Sequence, residues 1–107
     1  MPLESDGHMF VALSKFVVAN GMESDVLEAF RNRPHKVDEE EGFVRLEVMT
    51  PVDHPEEFWL VTYWTDEASW KQWYRSHSFK HVHTWMPKGL RLVPKSNEIR
   101  YFNLHAE

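Results

Sequence analysis

Residues Phe58–Trp64 read FWLVTYW, a run of aromatic and β-branched side chains that spells a β-strand. Strand side chains alternate between faces, so Phe58, Leu60 and Trp64 point one way and Trp59, Val61 and Tyr63 the other. Both sets are apolar. Helices packed on a sheet cover only one of its faces, and the other then needs a cover of its own. The simplest cover is the same face of a second copy. The strand therefore predicts a layered α+β domain that forms a homodimer.

Working outward, Phe43–Thr50 (FVRLEVMT) alternates cleanly and reads as a strand, joined to Phe58–Trp64 by a short polar turn containing Pro51 and Pro55. Antiparallel pairing of the two follows. Met9–Val18 (MFVALSKFVV) is a further strand. Asn20, with Glu23 three positions on, reads as a helix N-cap, and Met22, Val26, Leu27 and Phe30 recur at helical spacing before Pro34. The acidic run DEEE before Gly42 reads as a solvated loop. Thr65 or Asp66 caps a helix through Tyr74, a second helical piece runs from about Ser78 to Trp85, and Ile99–Leu104 closes the chain as a strand. The order β-α-β-β-α-β is that of a ferredoxin-like fold, an antiparallel sheet with helices on one face. One domain spans residues 9–105, and residues 1–8, polar and unpatterned, are expected to form a disordered N-terminal extension.

Composition narrows the chemistry. The chain has 107 residues, 17 of them acidic and 12 basic, the basic ones scattered rather than run together, which argues against a nucleic-acid or anionic-membrane partner while leaving room for a local basic pocket. It holds no cysteine, so disulfides, thiolate catalysis, zinc fingers and covalent c-type heme are excluded. No apolar run reaches the length of a membrane span and no signal peptide is evident, so a cytoplasmic protein is expected. Nucleophile elbows and phosphate-cradling glycine loops are absent, and Glu56-Glu57 reads as solvated loop charge.

The stretch Ser69–Trp85 (SWKQWYRSHSFKHVHTW) holds three tryptophans and three histidines. Helical phase places Phe79, Val82, His83 and Met86 on one apolar stripe and turns His81 away from it. A histidine on an apolar face is either a core residue bonded to a backbone carbonyl or a ligand that gives one nitrogen to a metal or heme iron. His77 and His81, at i and i+4, lack an evident third ligand at metal-binding spacing. Trp70, Trp73 and Tyr74 share the inward stripe of the first helical piece.

FWLVTYWTDEASWKQWYRSHSFKHVH, together with EGF at Glu41–Phe43, resembles the antibiotic-biosynthesis-monooxygenase superfamily and specifically its Isd-type heme-degrading monooxygenases. The resemblance spans Met9–Leu104 and is most specific at Trp73 and, ten residues on, His83. It implies a dimeric α+β barrel of two ferredoxin-like protomers, each with a heme pocket between helices and sheet. Heme would be cofactor and also substrate, opened with dioxygen and electrons from an external reductase or reductant, with release of iron. In that pocket His83 would be the proximal iron ligand, Trp73 would press on the porphyrin, and Phe79 would join them in holding it. The family places a hydrogen-bonding Asn on the first strand where this chain has Ser14. Serine keeps a donor but reaches less far, so heme binding survives the change better than heme breakdown.

Two alternatives stand beside that reading. One is a heme carrier that binds without degrading, favoured by Ser14. The other is a heme-free superfamily member, a cofactor-independent monooxygenase acting on a quinol or polyketide. There His83 is simply buried, and aromatics such as Trp59, Tyr63 and Trp64 hold the organic ring.

Overall fold

The computed structural model describes residues 9–76 and 85–107. Strand β1 (Met9–Val17) lies inside a four-stranded sheet of order β2-β3-β1-β4, with β2 at Phe43–Met49, β3 at Glu57–Trp64 and β4 at Glu98–Leu104. All neighbours are antiparallel. Helices α1 (Glu23–Arg31) and α2 (Glu67–Tyr74) fill the two crossovers, and a 3-10 turn at Val37–Glu39 precedes β2. The ferredoxin-like α+β fold expected from the sequence is the one observed. Among the described residues no helix is long and apolar enough to cross a membrane.

Register shows how the strands sort their side chains. Phe10 pairs with Trp64, Ala12 with Thr62, Ser14 with Leu60 and Phe16 with Phe58. These alternate residues share the helix-side face, while Val11, Leu13 and Lys15, paired with Tyr63, Val61 and Trp59, share the outer one. The two apolar sets of β3 thus do lie on opposite faces. In β2 the clean alternation fails at its start, because the register shifts between Phe43 and Arg45. This irregularity returns Phe43 to the helix side, where its ring meets Trp64 edge-on at 5.4 Å.

Helix α1 buries Val26 and Phe30 and carries Glu23 and Asp25 in its first turn, complementing the helix dipole. Its N-cap is Met22, with no side-chain cap, rather than Asn20. The Asn20 amide works at long range instead: Nδ2 donates to the Gly89 carbonyl at 2.7 Å, and Oδ1 accepts from the Arg91 N–H at 3.3 Å. Further bonds join the Ala19 N–H to the Arg91 carbonyl and the Val93 N–H to the Val17 carbonyl, both at 2.8 Å. The segment before β4 is thereby strapped to the end of β1. Helix α2 is capped by Asp66, whose Oδ1 accepts from the Ser69 N–H at 2.8 Å, as the sequence suggests.

Two clusters form the core. Under α1 lie Val18, Val26, Phe30 and Phe58, with Trp85 and Leu90 packed against them. Under α2 lie Phe10, Ala12 and Trp64, joined by Phe43, Trp70 and Trp73. Trp64 and Phe58 have no exposed surface, and each such side chain contributes about 2–3 kcal/mol by leaving water.

Candidate functional site

Between the two clusters the helix-side face carries small or short side chains at Ala12, Ser14 and Thr62. Large rings flank them: Phe16 and Phe58 stack at 5.3 Å toward α1, and Trp64 and Trp73 lie 5.4 Å apart toward α2. Small residues between bulky ones cannot fill the space beneath the helices. A cavity of about 640 Å3 results, a size in the range of about 300–1,000 Å3 that holds organic ligands.

Two rungs of the sheet form its floor, Ile99–Ser14–Leu60 and Tyr101–Ala12–Thr62–Leu46. Its aromatic wall is Trp70, Trp73, Tyr74 and Tyr101, tied together by Trp70 contacts to Tyr74 at 5.0 Å and to Tyr101 at 4.9 Å. Trp85 and Leu90 line it from the α1 side. The Thr62 hydroxyl is committed: it donates to the Ala12 carbonyl at 3.4 Å and accepts from Trp64 Nε1 at 3.0 Å. Ser14 has no such bond among the described residues, so its hydroxyl is available to a ligand.

The structure therefore brings Ser14 and Trp73, selected from the sequence, to one cavity. Trp70, Tyr74 and Trp85 line the same cavity. His83 and Phe79, with His77 and His81, lie outside the described residues. Trp59 and Tyr63 do not line the cavity; they belong to the outer face, and Trp64 is enclosed in the core.

Sequence reasoning passed over the connection between α1 and β2. Arg33, Pro34, His35, Lys36 and Val37 all line the cavity. Arg33 Nη1 and Nη2 donate to Asp38 Oδ1 and Oδ2 at 2.9 and 3.4 Å, and His35 Nδ1 lies 3.2 Å from Oδ2. Burial pushes the Asp38 carboxyl up, but the bonds and charges of Arg33 and His35 outweigh it, and its pKa lies below the ordinary 3.8. His35 is left-handed, with φ of 61°, a conformation costing an L-residue about 1–2 kcal/mol. The only sequence signal was the RPHK string itself, Pro34 between basic residues.

The outer face is built differently. Val11 and Val61 are buried at its centre. Around them Arg45 sits over the Tyr63 ring at 3.8 Å, Tyr63 donates to Glu47 Oε1 at 2.9 Å, and Lys15 lies over Trp59 at 5.3 Å. Burial and the Glu47 carboxylate raise the Tyr63 phenol pKa, with Arg45 opposing them.

The family model described as antibiotic biosynthesis monooxygenase matches residues 9–85. Among solved structures, the fold is similar to that of MhuD from Mycobacterium tuberculosis, a heme-degrader with two hemes bound in its active site. Identity there is 18% and the TM-score 0.74, over 92% of this chain and 97% of that one. SnoaB from Streptomyces nogalater, a cofactor-independent oxygenase, is 17% identical with a TM-score of 0.72, over 94% of this chain and 96% of that one. A conserved protein from Methanosarcina mazei is 20% identical with a TM-score of 0.72, over 94% and 96%. Identities this low establish a shared fold only.

Proposed function

The chain belongs to the antibiotic biosynthesis monooxygenase family, and from that premise we propose that it is a heme-degrading monooxygenase with heme as both cofactor and substrate. The observation that carries this reading is the cavity above Ala12, Ser14 and Thr62, walled by Trp70, Trp73, Tyr74 and Tyr101. A flat apolar macrocycle fits such walls by area and by ring contact. Heme, when bound, supplies the redox chemistry, together with dioxygen and an external electron donor. The chain's own residues hold and shape it. Trp73, fixed against the buried Trp64, is a rigid wall against the ring. Ser14 offers a hydroxyl donor from the floor. The apolar lining keeps bulk water from the reacting centre. By the resemblance of their segment, His83 would hold the heme iron and Phe79 would contact the ring. The outer face of the sheet pairs two such protomers into a dimer.

Hemin titration tests this reading. A Soret shift that His83→Ala abolishes supports it, and no shift removes it. With heme bound, reductant and oxygen in the presence of catalase should bleach the Soret band. A persistent band favours the carrier reading, which the short reach of Ser14 supports. Ser14→Asn should then speed breakdown. A heme-free oxygenase acting on an aromatic substrate is the outcome if hemin fails to bind and a fused-ring quinol is consumed.

A further inference from the structure

The chain as a whole is acidic, with 17 acidic residues to 12 basic. Its cavity is not. Among the described residues no Asp or Glu lines it, whereas Lys15, Arg33, His35 and Lys36 do. Lys15 belongs to the outer-face set, where its ammonium lies over Trp59. The remaining basic groups come from one short segment, the α1–β2 connection, whose His35 and Lys36 are exposed while also lining the cavity. They mark the lip where the cavity meets solvent.

This lip is built rather than loose. The Arg33 side chain is only 12% exposed and is held by both oxygens of Asp38. A guanidinium has five N–H donors, so the Asp38 pair leaves others for a ligand. The same carboxylate engages His35 and holds the left-handed turn that presents Lys36. A cation fixed before binding loses less entropy on capturing an anion. Apolar walls beside it strengthen the contact by excluding water.

We propose that Arg33 and Lys36 form a carboxylate-recognising lip, so that the cavity selects flat apolar rings bearing an ionised carboxylate over the same rings without one. Asp38 is a positioning residue that acts through Arg33. The proposal deepens the aromatic-ring reading of the site and rests on it, but it does not depend on iron. The acid edge of a porphyrin and a carboxylate on a fused polyketide-type ring carry the same chemistry.

The test titrates the purified protein with protoporphyrin IX and its dimethyl ester, and with anthraquinone-2-carboxylate and anthraquinone, following tryptophan quenching. Both pairs lack iron, so failure of the heme reading and failure of the lip are separable. The acid of at least one pair should bind on the order of ten-fold tighter than its neutral partner, the ratio typical of one charge-assisted hydrogen bond. In Arg33→Gln/Lys36→Gln that ratio should fall to about one while the neutral ring keeps its affinity. Preference within the porphyrin pair identifies a tetrapyrrole acid, and preference within the anthraquinone pair alone leaves the lip standing and removes the heme reading. Equal binding of acid and neutral forms, a preference the double variant retains, or no binding of either acid overturns the proposal. Melting curves check the variants. If Arg33→Gln loses its fold with its Asp38 pair, Lys36→Gln and a salt titration of the unaltered protein carry the test. The preference must shrink in Lys36→Gln and as ionic strength rises, and a preference indifferent to both overturns the lip.

Discussion

The two faces of the one sheet use alternate residues of the same strands and reach opposite results. On the helix side, rings are gathered into two clusters with Ala12, Ser14 and Thr62 between them, and a cavity opens. On the outer side, the valines at the centre are buried and ringed by stacked cations and aromatics, Arg45 on Tyr63 and Lys15 on Trp59. Both faces are largely apolar, so polarity does not explain the difference. The size of side chains at the middle rungs does. A face with large residues at every rung is a surface for another sheet, and a face with small ones at the middle rungs is a container.

The largest effect expected is on the container side. Trp64→Ala removes a fully buried indole that contacts Phe43 and Trp73 and should cost about 3–5 kcal/mol of unfolding free energy in urea melts. A loss below about 1 kcal/mol would show that the α2 cluster does not anchor this face. On the other side, Phe102, 42% exposed and paired with Val11 on the outer face, is the probe. In the proposed dimer, Phe102→Glu buries a carboxylate and should weaken self-association about 100-fold, roughly 2.7 kcal/mol. Sedimentation velocity reads the dissociation, and an unchanged dimer would move the interface off this face. The helix layer's seating can be loosened without touching either face. Gly42 has φ of +84°, and a Cβ there would collide with the Ser69 side chain at the start of α2. Gly42→Ala should therefore cost about 2 kcal/mol, and a neutral result in thermal melts would mean that α2 yields freely.

The smallest effect concerns the lip. Because the folded pKa of Asp38 is lowered, its contribution is full above the ordinary carboxylate value of 3.8 and is lost as pH falls through the folded value. Asp38→Asn should thus destabilise by under about 1 kcal/mol at pH 7, since the pair is partly solvated. The gap between variant and parent should narrow as pH falls below the ordinary carboxylate value. A gap that is constant or wider in acid would show that the Asp38 charge is not what holds the turn.

Much of this architecture was legible because it rests on local composition. FWLVTYW gave β3 and its two faces, since aromatic and β-branched runs have few other uses. Ser14 was readable only through the family resemblance, and Trp73 through that resemblance together with helix phase; both line one cavity. What was not legible depends on partners distant in sequence. Asn20 has the residue type and spacing of a cap, but its amide bonds Gly89 and Arg91, which no local pattern reveals. The register shift at Phe43 leaves the alternation of FVRLEVMT looking regular while moving one ring to the other face. Arg33, His35 and Lys36 carry no sequence pattern of their own, because a lip is defined by the cavity it borders, and the cavity is a product of all four strands.

The strap that fastens the segment before β4 to the end of β1 has a consequence in time. Its Asn20 bonds join groups 69 and 71 residues apart, and β1 itself sits between β3 and β4. Contacts of such sequence separation form late, after the chain between them has been ordered. During synthesis β1 emerges first and waits for the segment carrying Leu90, Leu92 and Tyr101, which supplies the last wall of the cavity. A nascent chain lacking that segment lacks this wall, so the cavity is complete only once β4 has been made and has paired with β1.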